Sequence, residues 1–145
     1  MIVEANTMEL LAQCADVRRS VFGDEEHGPE ALCVIDEHDT EDTTGVYLYL
    51  EDGEPAGTAR YIRLDERTAK LQRVAVLPGM RSRGIGEALL KRMEEDIRRK
   101  GFCRIVMDAA QKSVGFYSRY GYRAASGVFY EDGRPHVAME KELKD

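Results

Sequence analysis

The sequence predicts an α+β fold, a mixed sheet with helices covering its faces. Three observations predict it. Strand-forming and amphipathic runs follow the order β-α-loop-β-β-β-α-β-α-β-β. Consecutive hairpins come before a strand–helix–strand crossover, which excludes a regular doubly wound sheet. The chain has 145 residues, 43% apolar and 33% charged. That is enough for one core and one domain over residues 1–145, and too apolar for a disordered chain.

Each element has a local reason. Ile2 to Ala5 reads as a short strand. Thr7 is placed to cap a helix running to about Arg19, with Leu10, Leu11, Cys14, Val17, Val21 and Phe22 on one stripe. Gly23 to Gly45 is acidic, is broken at Gly28-Pro29, and reads as a loop with a short helical turn. Val46 to Leu50 and Ala56 to Leu64 are strands joined by the hairpin turn Glu51-Asp52-Gly53-Glu54. After a turn at Asp65 to Thr68, Lys70 to Val76 is a third strand of this group. Gly86 to Lys100 is the clearest helix: Ile85, Leu89, Met93 and Ile97 recur four residues apart, and Gly101 stops it. Arg104 to Met107 is a buried strand, Ser113 to Tyr120 a short helix. Tyr122 to Ala125 begins the last hairpin, which continues at Val128 to Tyr130, turns at Asp132-Gly133 and returns as His136 to Met139.

Charge is segregated along the chain. The net charge is −6, which argues against general nucleic-acid binding. Ser20 to Ala59 holds twelve acidic residues and no Lys or Arg, whereas Arg60 to Arg104 carries a surplus of seven positive charges. One side suits an anionic cofactor, and the acidic side is expected to flank the entrance of a cationic amine. Asp36-Glu37-His38-Asp39 has metal-ligand chemistry but nothing elsewhere complements it, so no metal is expected. The three cysteines, Cys14, Cys33 and Cys103, are widely spaced with no CxxC pair. They read as free thiols of a cytoplasmic protein. No apolar run reaches the length of a membrane span, and the N-terminus lacks a secretory leader.

The informative segment is Leu77-Pro-Gly-Met-Arg81-Ser82-Arg83-Gly84-Ile85-Gly86, between a strand and the long helix. A helix start exposes unpaired N–H groups, the helix dipole adds positive charge, and glycines let a phosphate approach the backbone. Arg81 and Arg83 add full charges. No Walker A string occurs. A dinucleotide fingerprint would need a third glycine where Leu89 stands, and although Asp108 lies at a suitable distance, the turn from Val76 to Gly84 is too long.

Arg81-x-x-Gly84-x-Gly86, after Arg73-Val-Ala-Val76, resembles the acetyl-coenzyme A signature of the GNAT N-acetyltransferase superfamily. Tyr117-x-x-x-Gly121-Tyr122 resembles the family's second motif. Val21-Phe22, Glu25, Pro29, Asp36-Glu37-x-Asp39, Gly57-Thr-Ala-Arg60 and Pro135-His136 are similar to the ElaA-like branch, with Glu25-Glu26 standing where that branch has Glu-Gln.

The resemblance implies a GNAT-like fold: a central, mostly antiparallel twisted sheet of six to seven strands flanked by about four helices. It implies transfer of an acetyl group from acetyl-CoA to an amine by direct attack in a ternary complex. Pantetheine would pair with the backbone of Val74, Ala75 and Val76. Arg81, Ser82, Arg83, Gly84, Ile85 and Gly86 would hold the pyrophosphate.

Tyr117 would touch the cofactor and protonate the leaving thiolate, and a backbone N–H near Val74 to Val76 would donate to the oxyanion. Phe116 and Tyr120 are expected to be core. A Lys-type amine, with a pKa of about 10.4, must lose a proton before it attacks. Where some family members carry a Glu for this, the sequence places Lys70, so Glu25, His136 or a water chain are the remaining bases. A non-catalytic acyl-CoA-binding or sensor module and a plain interaction domain stay open as alternatives. Many relatives are dimers, so a homodimer is a candidate assembly.

Overall fold

The computed structural model describes residues 1–23, 33–41 and 44–143. Seven strands form one sheet: β1 (Ile2–Glu4), β2 (Gly45–Glu51), β3 (Glu54–Arg63), β4 (Thr68–Val76), β5 (Arg104–Ala110), β6 (Arg123–Glu131) and β7 (Arg134–Glu142). Their spatial order is β1-β2-β3-β4-β5-β7-β6. Every neighbouring pair is antiparallel except β4 and β5. Three α-helices stand among the described residues: α1 (Met8–Arg18), α2 (Ile85–Arg99) and α3 (Val114–Arg119). About four helices were expected. The difference is made up by short turns, among them a π-helical turn at Arg19–Gly23 that extends α1 and a 3-10 turn at Glu37–Asp39 in the acidic loop.

Local chemistry sets these boundaries. Thr7 caps α1, its hydroxyl accepting the Leu10 N–H at 3.2 Å. The β2–β3 turn carries Asp52 and Gly53 at φ of 52° and 84°, the left-handed pair of a type I′ hairpin, whose twist matches the strands. Strand alternation then divides the core. Ala69, Leu71, Ile105, Met107, Ala109, Val137 and Met139 pack with Leu89, Leu90, Met93 and Ile97 of α2. On the opposite face Val46, Leu48 and Ala75 pack with Leu11, Cys14 and Val17 of α1. α1 contacts β2, β3 and β4.

β6 is the edge strand opposite β1. Its pairing with β7 shifts between Ala124 and Val128, and the Ser126 hydroxyl fills the gap by accepting the Ala138 N–H at 3.0 Å. No described helix is long and apolar enough to cross a membrane.

Candidate active site

The parallel pair opens as it runs. β4 and β5 are in register only at Thr68–Arg104, Ala69–Ile105 and Lys70–Val106. Beyond Lys70 the β5-facing edge of β4 has no ladder partner, while β5 continues to Ala110 paired with β7. A cleft therefore separates Leu71–Val76 from Met107–Ala110. The β3–β4 ladder also slips between Thr58 and Arg60. Two residues, Arg73 and Val74, face one residue of β3 there, and Arg73 adopts φ 55°. A bulge with an arginine in the left-handed region costs about 1 kcal/mol or more and bends β4 away from β5.

Beside the cleft lies the start of α2. Gly84 occupies its N-cap with φ 80° and offers no side-chain cap. Ser82 precedes it at φ 69°. No backbone N–H from Arg81 to Glu87 donates to a backbone carbonyl of a described residue, the first such bond of the turn running from Ala88 to Gly84 at 3.0 Å. The fit to a diphosphate is therefore a matter of free donors and free space. Around Gly84 the position a Cβ would take is open, whereas at Gly86 a Cβ would sit 3.4 Å from the Phe116 ring. Ile85 turns its side chain into the core at 2% exposure, so only its N–H faces this nest. Arg81 and Arg83 are exposed, and Arg81 folds its Nε onto the Val76 carbonyl at 3.1 Å. Gly57, opposite Val76 on β3, sets the depth of the nest: a Cβ there would meet Ile85 at 2.9 Å. Sequence reading marks Gly57 only through its family resemblance, because the Ile85 side chain it faces lies on another element.

α3 delivers Tyr117, which is 7% exposed. Its ring stands edge-on to Phe116 and Tyr122, with centroids 5.1 and 5.8 Å away. Burial pushes its phenol up to about 12. The roles expected within this helix are partly exchanged. Tyr117 is its buried aromatic, and Phe116 and Tyr120 are half-buried. Tyr120 donates to Glu87 of α2 at 2.8 Å, Tyr122 to Glu94 at 2.6 Å and Tyr47 to Asp96 at 2.7 Å. The Tyr117 hydroxyl has no such partner among the described residues.

His136 lies on β7 opposite Ala110, at the open end of the cleft. It stacks on Phe129, centroids 6.1 Å apart, and its Nδ1 lies 2.9 Å from the Arg134 carbonyl. A carbonyl only accepts, so Nδ1 carries a proton and Nε2 is the free nitrogen. Glu25 lies outside the described residues. Lys70, where an acid was missed in the sequence, pairs with Asp108 across the closed end of the cleft at 3.2 Å.

The acidic loop does something other than expected. Asp39 is clasped by Arg18 at 3.0 and 2.8 Å, both side chains fully buried. Arg60 spends its guanidinium on Asp36 at 2.6 and 3.1 Å, Asp39 at 3.1 Å and Gln72 at 3.1 and 2.8 Å. Burial alone would raise the Asp39 carboxyl. The Arg18 hydrogen bonds, the Asp36 N–H and the charges of Arg18 and Arg60 outweigh it and hold it below the ordinary carboxylate range. Asp36 is likewise held low against burial by Arg60. These two carboxylates tie the loop to α1 and the sheet and are not free to attract an amine. No group of three metal-ligating side chains occurs among the described residues.

Splayed parallel strands beside a helix start rich in free N–H groups are the working parts of an acyltransferase. Residues 11–143 match the acetyltransferase (GNAT) domain family, and the chain belongs to that family. The Bacillus subtilis protein YyaT, itself uncharacterized, is 37% identical over 135 residues, 92% of this chain and 89% of that one. The N-acetyltransferase YjcF of the same organism, also uncharacterized, is 34% identical over 97% of this chain and 98% of its own. Among solved structures, Escherichia coli ElaA superposes with a TM-score of 0.85 at 22% identity, covering 98% of this chain and 99% of its own.

Proposed function

We propose that the protein is an N-acetyltransferase that moves an acetyl group from acetyl-CoA to an amine in a ternary complex. One observation carries this reading: the unpaired N–H groups from Arg81 to Glu87 open beside a cleft between two parallel strands. Aminoglycoside 6'-N-acetyltransferase, crystallised with coenzyme A, shares the fold at a TM-score of 0.77, which supports the same donor here. Bound acetyl-CoA supplies an activated thioester. The N–H groups and guanidinium charges of Arg81 to Gly86 hold its diphosphate, and the free edge of Val74 to Val76 pairs with its amides as it would with a peptide.

The chain's own residues divide the proton work. A neutral amine attacks the carbonyl carbon, the C–S bond breaks, and the Tyr117 hydroxyl gives its proton to the departing sulfur. With its phenol near 12, Tyr117 stays protonated at neutral pH. His136, with Nδ1 committed to Arg134, can take the amine proton at Nε2 directly or through water, and Glu25 remains a second candidate for it. A backbone N–H of Val74 to Val76 donates to the oxyanion.

Direct attack is favoured over an acetyl-enzyme because no cysteine lines the cleft. Cys14 and Cys33 are buried, and Cys103 sits at the closed end against Arg67. The free thiols fit a cytoplasmic setting, and a homodimer is compatible with the exposed β6 edge.

The test is an amine panel with acetyl-CoA fixed, following free thiol. Initial rates with both substrates varied should give intersecting reciprocal plots. Parallel plots would refute the ternary complex, and no heat on titrating acetyl-CoA would refute the donor.

A further inference from the structure

On the α1 face of the cleft wall, three guanidinium groups meet two carboxylates. Arg60 donates to Asp36, Asp39 and Gln72, and both terminal nitrogens of Arg18 donate to Asp39, although the Arg18 Nε is buried without a partner among the described residues. Among the described residues Arg73 is the surplus cation. Its nearest carboxylate oxygen, on Asp36, is 3.8 Å away, too far for a hydrogen bond. Its Nε is buried with no partner, and none of its N–H groups donates to a described residue. The side chain is only 20% exposed. Arg73 also sits at φ 55° on the bulge, three residues past the last β4–β5 pair, so the backbone is bent at the residue that carries the spare charge. A half-buried guanidinium whose donors find no acceptor among the described residues is costly unless something completes it. The Lys70–Asp108 pair further down the cleft is neutral, so the surplus is not cancelled there.

We infer that Arg73 is an anion-binding residue of the acceptor site, and that the acceptor is an amine that also carries a carboxylate or phosphate. The inference rests on the transferase reading in assigning the anion to an acceptor, but the anion site itself is defined by the side chains alone. It reverses what the acidic loop suggested. Asp36 and Asp39 of the loop are taken up by Arg18 and Arg60, which leaves Arg73 as the cation beside them among the described residues. Arg73 would grip the anion by charge-assisted hydrogen bonds, bidentate where the geometry allows, and so hold the amine end toward the opening between the strands.

Paired probes test this. Lysine against cadaverine asks about a carboxylate, and phosphoethanolamine against ethanolamine about a phosphate. For at least one pair, kcat/KM is expected to be about tenfold or more higher with the anionic member. R73Q should collapse that ratio toward one, and R73K should restore part of it. Equal kcat/KM within both pairs, or a ratio that survives R73Q, overturns the inference.

A binding measurement stands apart from turnover and from the folding of any variant. The Arg73 Nε–H resonance of the wild-type protein should shift on titration with phosphoethanolamine or lysine and not with ethanolamine or cadaverine. No shift with either anionic probe overturns the anion site. A shift without thiol release from any amine overturns the transferase reading and leaves the anion site standing.

Discussion

The two long helices begin in opposite ways. α1 starts with a threonine whose hydroxyl takes up the Leu10 N–H, and its last turn carries Arg18, locked on Asp39. α2 starts with a left-handed glycine and no side-chain cap, leaving the donors before Ala88 unpaired. A helix start with idle donors forgoes stability that a cap would add, about 1 kcal/mol. The difference separates a region built to hold the fold from a region held open for a ligand, and each side can be broken without the other.

The largest effect is expected on the α1 side. Asp39→Ala leaves Arg18 buried without a counter-charge and should cost about 3–5 kcal/mol of stability, read by denaturant unfolding. A loss under 1 kcal/mol would mean that the network is ornamental. The same carboxyls set an acid limit. Asp36 and Asp39 are held below their ordinary range, so their contribution is complete above about pH 4 and is lost as the pH falls through their lowered folded values. Stability that stays flat through that range would contradict the pairing.

Next is Gly86→Val on the α2 side. Branched methyls there point at Phe116 and crowd the nest, so acetyl-CoA affinity should fall by about a hundredfold or more in calorimetry while Tm changes little. Unchanged affinity would remove the cradle from the site. Tyr117→Phe should lower kcat about tenfold to a hundredfold with the Kd for acetyl-CoA nearly constant. Equal losses in both would reduce Tyr117 to a packing residue. The smallest is Thr7→Ala, expected to lower stability by about 1 kcal/mol, a few degrees in Tm, with acetyl-CoA binding intact. A change in binding instead would erase the contrast between the two helix starts.

Much of this was legible before any coordinates. The strand and helix order, the Thr7 cap, the Asp52-Gly53 turn and the stop at Gly101 are all local, and the structure reproduces them, although β5 and β7 run three residues past the ends the sequence predicts. The Arg81-x-x-Gly84-x-Gly86 pattern was legible for the same reason: the anion cradle proposed there depends on backbone conformation and charge over six consecutive positions.

Other features were hidden. Arg18 and Arg60 are among the most buried side chains of the described residues, which no local pattern shows. The acidic loop looked like an amine-attracting surface because the arginines that neutralise Asp36 and Asp39 lie on α1 and β3. The hairpin β6–β7 was predictable, but not that β7 would insert beside β5 and leave β6 at the edge.

From the order of residues alone came the periodicities, the turns and a phosphate-ready helix start, because each is decided by atoms a few positions apart. Only the folded chain decided where β4 leaves β5, that the Tyr117 hydroxyl finds no partner among the described residues, and that Arg73 stands 3.8 Å from its nearest described carboxylate. Those outcomes depend on charges and volumes brought together from positions 18, 36, 39, 60 and 73, and no local rule constrains how such distant groups will share their partners.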